Sequence, residues 1–323
     1  MNFQQLRVVR ETVRQKFNLT GVSSVLAMSQ SAVSKHIKDL EDELGVVLFV
    51  RKGKRLLGLT EPGHEVVRHA EGILQEADNL QSVATSFSAQ DEGRLVLATT
   101  HTQARYALPE IVRRFREEFP KVHLVMHQAT PSEIASMLES DQADIGIATE
   151  SLRSNQQFAT FPFYRWYHGV IVPAGHPLTK SKQLSLKEIA KYPIVTYHEG
   201  FTGRAMIDET FAKAGLSPEI AMVALDADVI KAYVALGMGV GIVASMAFDD
   251  DQDQHLRLLD ASELFKENTT VVALRKGRFL RGYVKRFVTL CVRKLSEKEL
   301  VKAVENDGTA SKRRTERNSS IQA

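Results

Sequence analysis

The stretch Thr20-Gly-Val-Ser-Ser-Val-Leu-Ala27, Met28-Ser29, Gln30-Ser-Ala-Val-Ser-Lys-His-Ile-Lys-Asp-Leu-Glu-Asp-Glu-Leu44-Gly45 decides how the chain is read. A short, small-residue helix, a tight break and a longer helix succeed one another, and a basic segment, Arg51-Lys-Gly-Lys-Arg55, follows. That order belongs to a helix-turn-helix DNA reader carrying a wing. Thr20 is expected to cap the first helix and Ser29 the second, each offering a side-chain oxygen to a free backbone N–H. Val33, Ile37, Leu40 and Leu44 recur at four-three-four spacing and are expected to face the core. Ser31, Ser34, Lys35 and Lys38 then lie on the other side, towards the helix start at Gln30, where recognition helices reach base edges. Gln30 suits an adenine edge and Lys35 a guanine or a phosphate, a good base contact discriminating by about 1–3 kcal/mol. An ordinary surface helix would carry the same pattern. The adjoining turn and wing favour the reader.

Residues 46–50 read as a strand, 51–55 as a turn and 56–60 as the returning strand, with Gly53 permitting a tight hairpin. Arg51, Lys52, Lys54 and Arg55 at its tip would sit against phosphates, positioning the reader without specifying sequence; a solvated turn is the plainer alternative. Upstream, residues 3–16 read as a helix with Leu6, Val9 and Val13 on one face. Arg7, Arg10 and Arg14 lie clear of that face, either solvated or touching phosphate. Downstream, Thr60-Glu61-Pro62 opens a helix, proline being tolerated in a first turn. Val66, Ala70, Ile73, Ala77, Leu80, Ala84 and Phe87 then alternate at four-three spacing, a narrow heptad seam that wants a partner helix. The simplest partner is the same helix of a second copy, placing two readers on two half-sites. Packing on its own chain is the alternative.

Composition agrees with a basic head on a near-neutral body. Residues 1–60 hold ten Lys/Arg against five Asp/Glu, a net of +5, which leaves −2 for the rest of a chain whose total is +3. Such a distribution suits a nucleic-acid-binding unit joined to a regulatory one. At 323 residues, two or three domains are expected. One cysteine, Cys291, excludes an intrachain disulfide, a Cys-rich zinc site and a paired-thiol switch. The N-terminus lacks a charged-then-apolar signal pattern, and no run approaches a membrane span, so a cytoplasmic location with no membrane partner is expected.

After a hinge at Asp91-Glu92-Gly93 the pattern becomes strands alternating with helices. Strands are expected at residues 94–99, 122–127, 144–148, 166–172, 193–197, 220–224 and 269–274. Helices are expected at 103–118, 131–140, 185–191, 203–214, 226–236 and 279–294. This is α/β wiring with parallel strands, in two lobes, the chain returning to the first at its end. The polar tail from about 301 to 323 reads as disordered. The domain division is 1–60 for the reader, 61–90 for the linker helix and 91–300 for the effector-binding part. Within it, lobe I spans about 93–163 and 266–295, and lobe II about 164–265.

Thr100, Thr102 and Gln103 sit where the first strand of this part turns into a helix, and free N–H groups beside hydroxyls favour an oxyanion there. Thr149 follows a strand at its carboxyl end, where open α/β sheets bind ligands. Thr202 precedes a helix of the other lobe. Neutral hydroxyls suit an already ionised small anion; helix capping is the alternative role for each threonine. His101 and Arg204 are candidate sources of positive charge; a side chain turned away from the site is the alternative for each.

Several blocks carry a family resemblance. Ser29-Gln-Ser-Ala-Val-Ser-Lys-His-Ile, Leu40-Glu-Asp-Glu-Leu-Gly with Leu48-Phe49, and Leu59-Thr-Glu-Pro-Gly63 resemble the LysR-type transcriptional regulators. Thr99-Thr-His-Thr-Gln-Ala-Arg-Tyr-Ala-Leu-Pro109, Ile147-Ala-Thr-Glu150, Phe201-Thr-Gly-Arg204, Asp226-Ala-Asp-Val-Ile230 and Gly237-Met-Gly-Val-Gly-Ile-Val-Ala-Ser245 resemble the CysB-type branch, which controls sulfur assimilation. The resemblance implies an α/β fold with a winged helix-turn-helix, a long linker helix and two lobes of periplasmic-binding-protein type. It implies a homotetramer that binds promoter DNA, contacts RNA polymerase and takes sulfate or a related sulfur metabolite in its cleft. It also implies that Thr100, Thr102, Gln103, Thr149 and Thr202 line an anion site with Trp166 nearby. Two departures stand out: Ser31-Ala32 replaces a more usual Pro-Gly or Pro-Ala, and His198-Glu199 brings a carboxylate beside the cleft.

Two other function classes fit parts of the sequence less well. An anion solute-binding protein of a transport system would fit the lobes but not the N-terminal reader. An enzyme finds no support: no Gly-x-Ser-x-Gly or phosphate loop is present. His123 and His127 fall on an expected strand, where four residues span roughly 13 Å, too far to share a metal. Gly237-Met-Gly-Val-Gly follows a helix, the wrong context for a dinucleotide fingerprint, and reads as a turn. No cofactor or metal is called for.

Overall fold

A computed structural model of the chain describes residues 1–53, 55–88, 92–149, 152–181, 183–201 and 203–305, with backbone alone for 85–88. It divides into two compact units at the boundary between residues 88 and 89.

The first unit contains helices α1 (Phe3–Arg14), α2 (Leu19–Leu26) and α3 (Gln30–Leu44), the hairpin β1 (Phe49–Lys52) and β2 (Arg55–Leu59), and the long helix α4 (Glu61–Ser88). Its core gathers Leu6, Val9, Val22, Val33, Ile37 and Leu40 with Val67, Ala70 and Leu74 of α4. Apolar residues at helical spacing are buried together there, and that burial is what holds α1–α3. Ser29 caps α3 as expected, accepting from the Ala32 N–H at 3.2 Å.

Four local expectations change. The cap of α2 is Asn18, whose side-chain Oδ1 accepts from the Thr20 N–H at 3.0 Å; Thr20 is already helical. Leu44 is 39% exposed, because α3 ends at Gly45 in the left-handed region (φ +69°) before anything covers that last turn. The wing strand starts at Phe49 rather than 46, since the Glu41 carboxylate takes the Leu48 and Phe49 N–H groups at its root. The turn falls at Gly53 (φ +62°), so Arg51 and Lys52 lie on the strand.

The heptad reading of α4 merged two neighbouring stripes. Gly63, Val67, Ala70 and Leu74 are buried, and Val66 packs partly against the same core. Ile73 and Leu80 stay 42% and 72% exposed, Ala77 is half-buried and Ala84 exposed. The side chain of Phe87 lies outside the described residues.

The second unit runs through β3 (Gly93–Thr99), α5 (Pro109–Glu118), β4 (Val122–Gln128), α6 (Pro131–Glu139), β5 (Ile145–Thr149), β6 (Phe158–Trp166), β7 (His168–Pro173) and α7 (Leu186–Ile189). It continues with β8 (Ile194–Tyr197), α8 (Arg204–Lys213), β9 (Ile220–Ala224), α9 (Ala227–Ala235), β10 (Val240–Ala244), β11 (Leu256–Asp260), β12 (Asn268–Arg275), α10 (Gly282–Cys291) and α11 (Glu297–Glu305). Two five-stranded sheets result: β4-β3-β5-β12-β6 in lobe I and β11-β7-β10-β8-β9 in lobe II. Strand β3 is parallel to β4 and β5, and β8 is parallel to β9 and β10, while β12 and β7 run antiparallel to their neighbours.

The chain therefore crosses between lobes twice, at Tyr167 and over residues 261–267. The single strand expected at 166–172 is two, and Trp166 closes lobe I where His168 opens lobe II. The helix expected at 103–118 is also two elements. A π-helical turn, Gln103–Ala107, comes first, closed by a bond from the Leu108 N–H to the Gln103 carbonyl at 3.0 Å. Pro109, which lacks an N–H, then starts α5. Gly237 (φ +80°) and Gly239 (φ +155°) make the expected helix-to-strand turn. The helix expected to run to 294 ends at Cys291, and a further helix, α11, follows with Leu300 and Val304 buried, so residues 301–305 of the expected disordered tail are helical. Residues 306–323 of the expected tail lie outside the described residues.

Candidate DNA-reading face and anion cavity

On α3, Ser31, Lys35 and Lys38 are exposed and Ser34 is half-buried, all on the side away from Val33, Ile37 and Leu40. Gln30 is exposed but engaged, its Nε2 donating to the Thr20 hydroxyl at 2.7 Å. It thus braces α2 against α3, and reading a base would require that bond to be exchanged. Lys52 and Arg55 flank the wing turn and are exposed. Arg51 is paired instead with Glu41 at 2.8 Å, which ties wing to helix and removes one cation from the tip. Lys54 lies outside the described residues.

In the second unit a small cavity opens between the lobes. Thr100, His101, Thr102, Gln103, Thr149 and Trp166 line it from lobe I, and Tyr197, Phe201, Gly203, Leu225 and Ala244 from lobe II. Thr202 lies outside the described residues. Thr100, Gln103 and Thr149 are 7%, 2% and 2% exposed, whereas His101 and Thr102 are half-exposed. Thr102 precedes the π turn without capping it. Its side chain bonds to Tyr197, whose hydroxyl also accepts from the Ala244 N–H at 3.1 Å. Gln103 Oε1 accepts from Tyr164, and burial pushes the Tyr164 phenol up to about 12. That phenol stays protonated, leaving the Gln103 NH₂ free of that bond. The Trp166 N–H donates to Thr270 at 3.2 Å, so the indole offers the cavity its ring.

No carboxylate is among the described lining residues. His198 and Glu199 are exposed and do not line the cavity. Arg204 is buried, but its guanidinium goes to Asp208 at 2.7 Å and to the Tyr197 carbonyl at 3.1 Å, away from the cavity. His101 is the lining residue able to carry charge. Its Nε2 lies 3.1 Å from Asp228, and the ligand atoms of His101, Asp226 and Asp228 fall within 4.8 Å of one another. Arg105 and Lys231 already neutralise Asp228, which makes this a poor cation site. His123 and His127 do lie on strand β4. Sequence reading missed Tyr197, Phe201, Leu225 and Ala244. Three of these are at or just beyond the carboxyl ends of β8, β9 and β10, the position that signalled Thr149.

A DNA-reading unit joined to a two-lobed domain with a hydroxyl-lined cleft defines a ligand-responsive gene regulator. Residues 3–64 match the bacterial regulatory helix-turn-helix protein, lysR family, and residues 88–296 match the LysR substrate binding domain. The chain belongs to the LysR family of transcriptional regulators. It is 55% identical over 300 residues to the HTH-type transcriptional regulator SsuR of Burkholderia cenocepacia, covering 93% of this chain and 97% of the relative. It is 50% identical to the regulator cbl of Escherichia coli (94% and 96% covered) and 47% to CysB of Burkholderia cenocepacia (95% and 98%). Among solved structures, the cofactor-binding domain of the Cbl transcriptional regulator superposes with TM-score 0.65 at 47% identity, over 67% of this chain and 95% of that one. The family is one of regulators, not of enzymes or transport solute-binding proteins, and the CysB-type resemblance holds. No helix among the described residues is long and apolar enough to cross a membrane.

Proposed function

We propose that the chain regulates sulfur-assimilation genes, for sulfate and cysteine or for sulfonates, in response to a small sulfur-containing anion held between its lobes. The observation that carries this reading is a cleft cavity whose polar lining is hydroxyl, amide and imidazole, with no carboxylate among the described lining residues. Such a lining donates hydrogen bonds to an anion and repels none. Sulfate, thiosulfate, adenosine phosphosulfate and an acylated serine are the effectors to compare. The effector shifts a two-state equilibrium between lobe arrangements; a differential affinity of about 1–3 kcal/mol suffices for a useful switch. Homodimers or homotetramers, paired through Ile73 and Leu80 of α4, would place readers on two half-sites and work in the cytoplasm with RNA polymerase.

Replacing Thr100 with valine keeps the shape and removes the hydroxyl. Sulfate affinity of the full chain, measured by calorimetry, is expected to fall about 10- to 100-fold, the range for a hydrogen bond to a charged group. Unchanged affinity would remove this cavity as the effector site. For the reader, Lys35→Ala is expected to weaken promoter binding about tenfold. If Lys35 meets a phosphate, the slope of log affinity against log salt also shrinks by about 1. Gel shifts that look like the parent at every salt concentration would exclude α3 as the recognition helix.

A further inference from the structure

Three side chains of lobe I converge on one carboxylate of lobe II. The Tyr106 hydroxyl donates to Asp228 Oδ1 at 2.7 Å, Arg105 Nε lies 2.8 Å from Oδ2, and His101 Nε2 lies 3.1 Å from the same oxygen. Behind them Lys231, itself nearly buried, reaches Tyr106 at 3.1 Å, Asp228 at 3.4 Å and Asp253 at 2.9 Å. Burial alone would raise the Asp228 carboxyl; bonds from Tyr106 and His101, with the charges of Lys231 and Arg105, hold it below its ordinary value.

Placement gives the cluster its meaning. The lobes are joined by two strand crossings only, a connection that permits opening. The lobe I residues of the cluster and the cavity residues His101, Thr102 and Gln103 share one short segment, 101–106, which ends in the π turn. π turns are rare and concentrate at functional sites. Here the widened turn sends Gln103 to Tyr164 while Arg105 and Tyr106 reach across to lobe II. Helix α9 does not need Asp228 for its own start, because Asp226 is its cap, accepting from the Val229 N–H at 2.9 Å.

We propose that Asp228 is a positioning residue for effector binding: it clasps the 101–106 segment of lobe I to lobe II, holds the cleft closed and aims the anion-binding donors. The inference rests on the proposed anion reading for its affinity arm, but not for its structural arm. Asp228→Asn keeps shape and removes charge. In the full chain without ligand, hydrogen exchange over residues 100–106 and 203–207 is expected to accelerate at least fivefold in Asp228→Asn and in Arg105→Gln. The double variant should accelerate exchange by less than the product of the two single effects, because both remove the same clasp. The exposed α8 pair variant Glu209→Gln should exchange like the parent. Sulfate affinity in Asp228→Asn should fall at least tenfold while the thermal midpoint stays near the parent's. Parent-like exchange in Asp228→Asn overturns the clasp, as does a uniform rise across both lobes, which would mark general destabilisation. If sulfate binds neither parent nor variant, the anion reading fails while the exchange result still decides the clasp.

Discussion

Gly63→Ala is expected to destabilise the DNA-reading unit by about 3 kcal/mol, the upper part of the range for overpacking a tight contact. Helix propensity argues the other way, since alanine is better than glycine inside a helix by about 1 kcal/mol. Geometry decides the sign. A Cβ at Gly63 would lie 2.1 Å from the Leu48 carbonyl oxygen and 3.1 Å from the Thr60 hydroxyl. The Leu48 carbonyl is held in place, because it accepts from the Thr60 N–H at 3.0 Å at the root of the wing. Relief would require α4 to lift from the core it shares through Val67, Ala70 and Leu74. Gly72, on the same helix, has nothing within 4 Å of the equivalent position and is the control. Gly72→Ala should stabilise slightly. Denaturant unfolding followed by far-UV circular dichroism reads both, and equal effects at the two sites would refute the contact argument.

Acid should weaken the second unit through His168. The imidazole is 1% exposed, its Nε2 has no hydrogen-bond partner, and burial lowers its pKa to about 4 from an ordinary 6.5. The native state therefore prefers the neutral ring, while the unfolded chain takes up a proton as pH falls below about 6.5. Stability is fully present above 6.5, declines between 6.5 and 4, and changes no further from this source below 4. Over that window the loss is about 2–3 kcal/mol. Trp166, the one tryptophan in the chain, packs on His168 with ring centroids 5.0 Å apart, so its emission follows this unit's unfolding. His168→Gln should lose about 2 kcal/mol less than the parent between pH 7 and 4.5. Identical pH profiles for the two chains would exclude His168 as the acid-sensitive group.

Local periodicity made much of this fold legible. Val33, Ile37 and Leu40 marked the buried face of α3, and Gly53 between basic residues marked the hairpin. The alternation of short apolar runs with amphipathic helices anticipated β3, β4, β5 and β8 within a residue or two. What escaped depended on partners distant in the chain. Strand β6 contains Pro162 and mixed polar residues, and reads poorly as a strand. It survives at the edge of its sheet, where a missing N–H is tolerated and the register shifts beside it. The seam on α4 looked single because sequence spacing does not say which turns already rest on a core. Tyr197, Leu225 and Ala244 reach the cavity from three separate segments, and no local pattern marks their meeting. The threonines were legible because a strand-to-helix turn announces its donors. For Arg204 position alone left the direction open, and the outward alternative holds: Asp208 and the Tyr197 carbonyl take its guanidinium.

The return of β12 to lobe I has a bearing on how the protein is made. Residues 268–275 pair with 146–149 on one side and 158–166 on the other, as an inner strand of that sheet. Lobe II, by contrast, draws all its strands from the continuous segment between His168 and Asp260. A chain emerging from the ribosome therefore has the whole of the inserted lobe's sheet available before the host lobe can close. Until β12 arrives, β5 and β6 each present an open edge, the kind of surface on which nascent chains pair wrongly. A transcript truncated after codon 267, past the lobe II core residues Ala261 and Phe265, would encode a folded second lobe attached to a split, aggregation-prone first one.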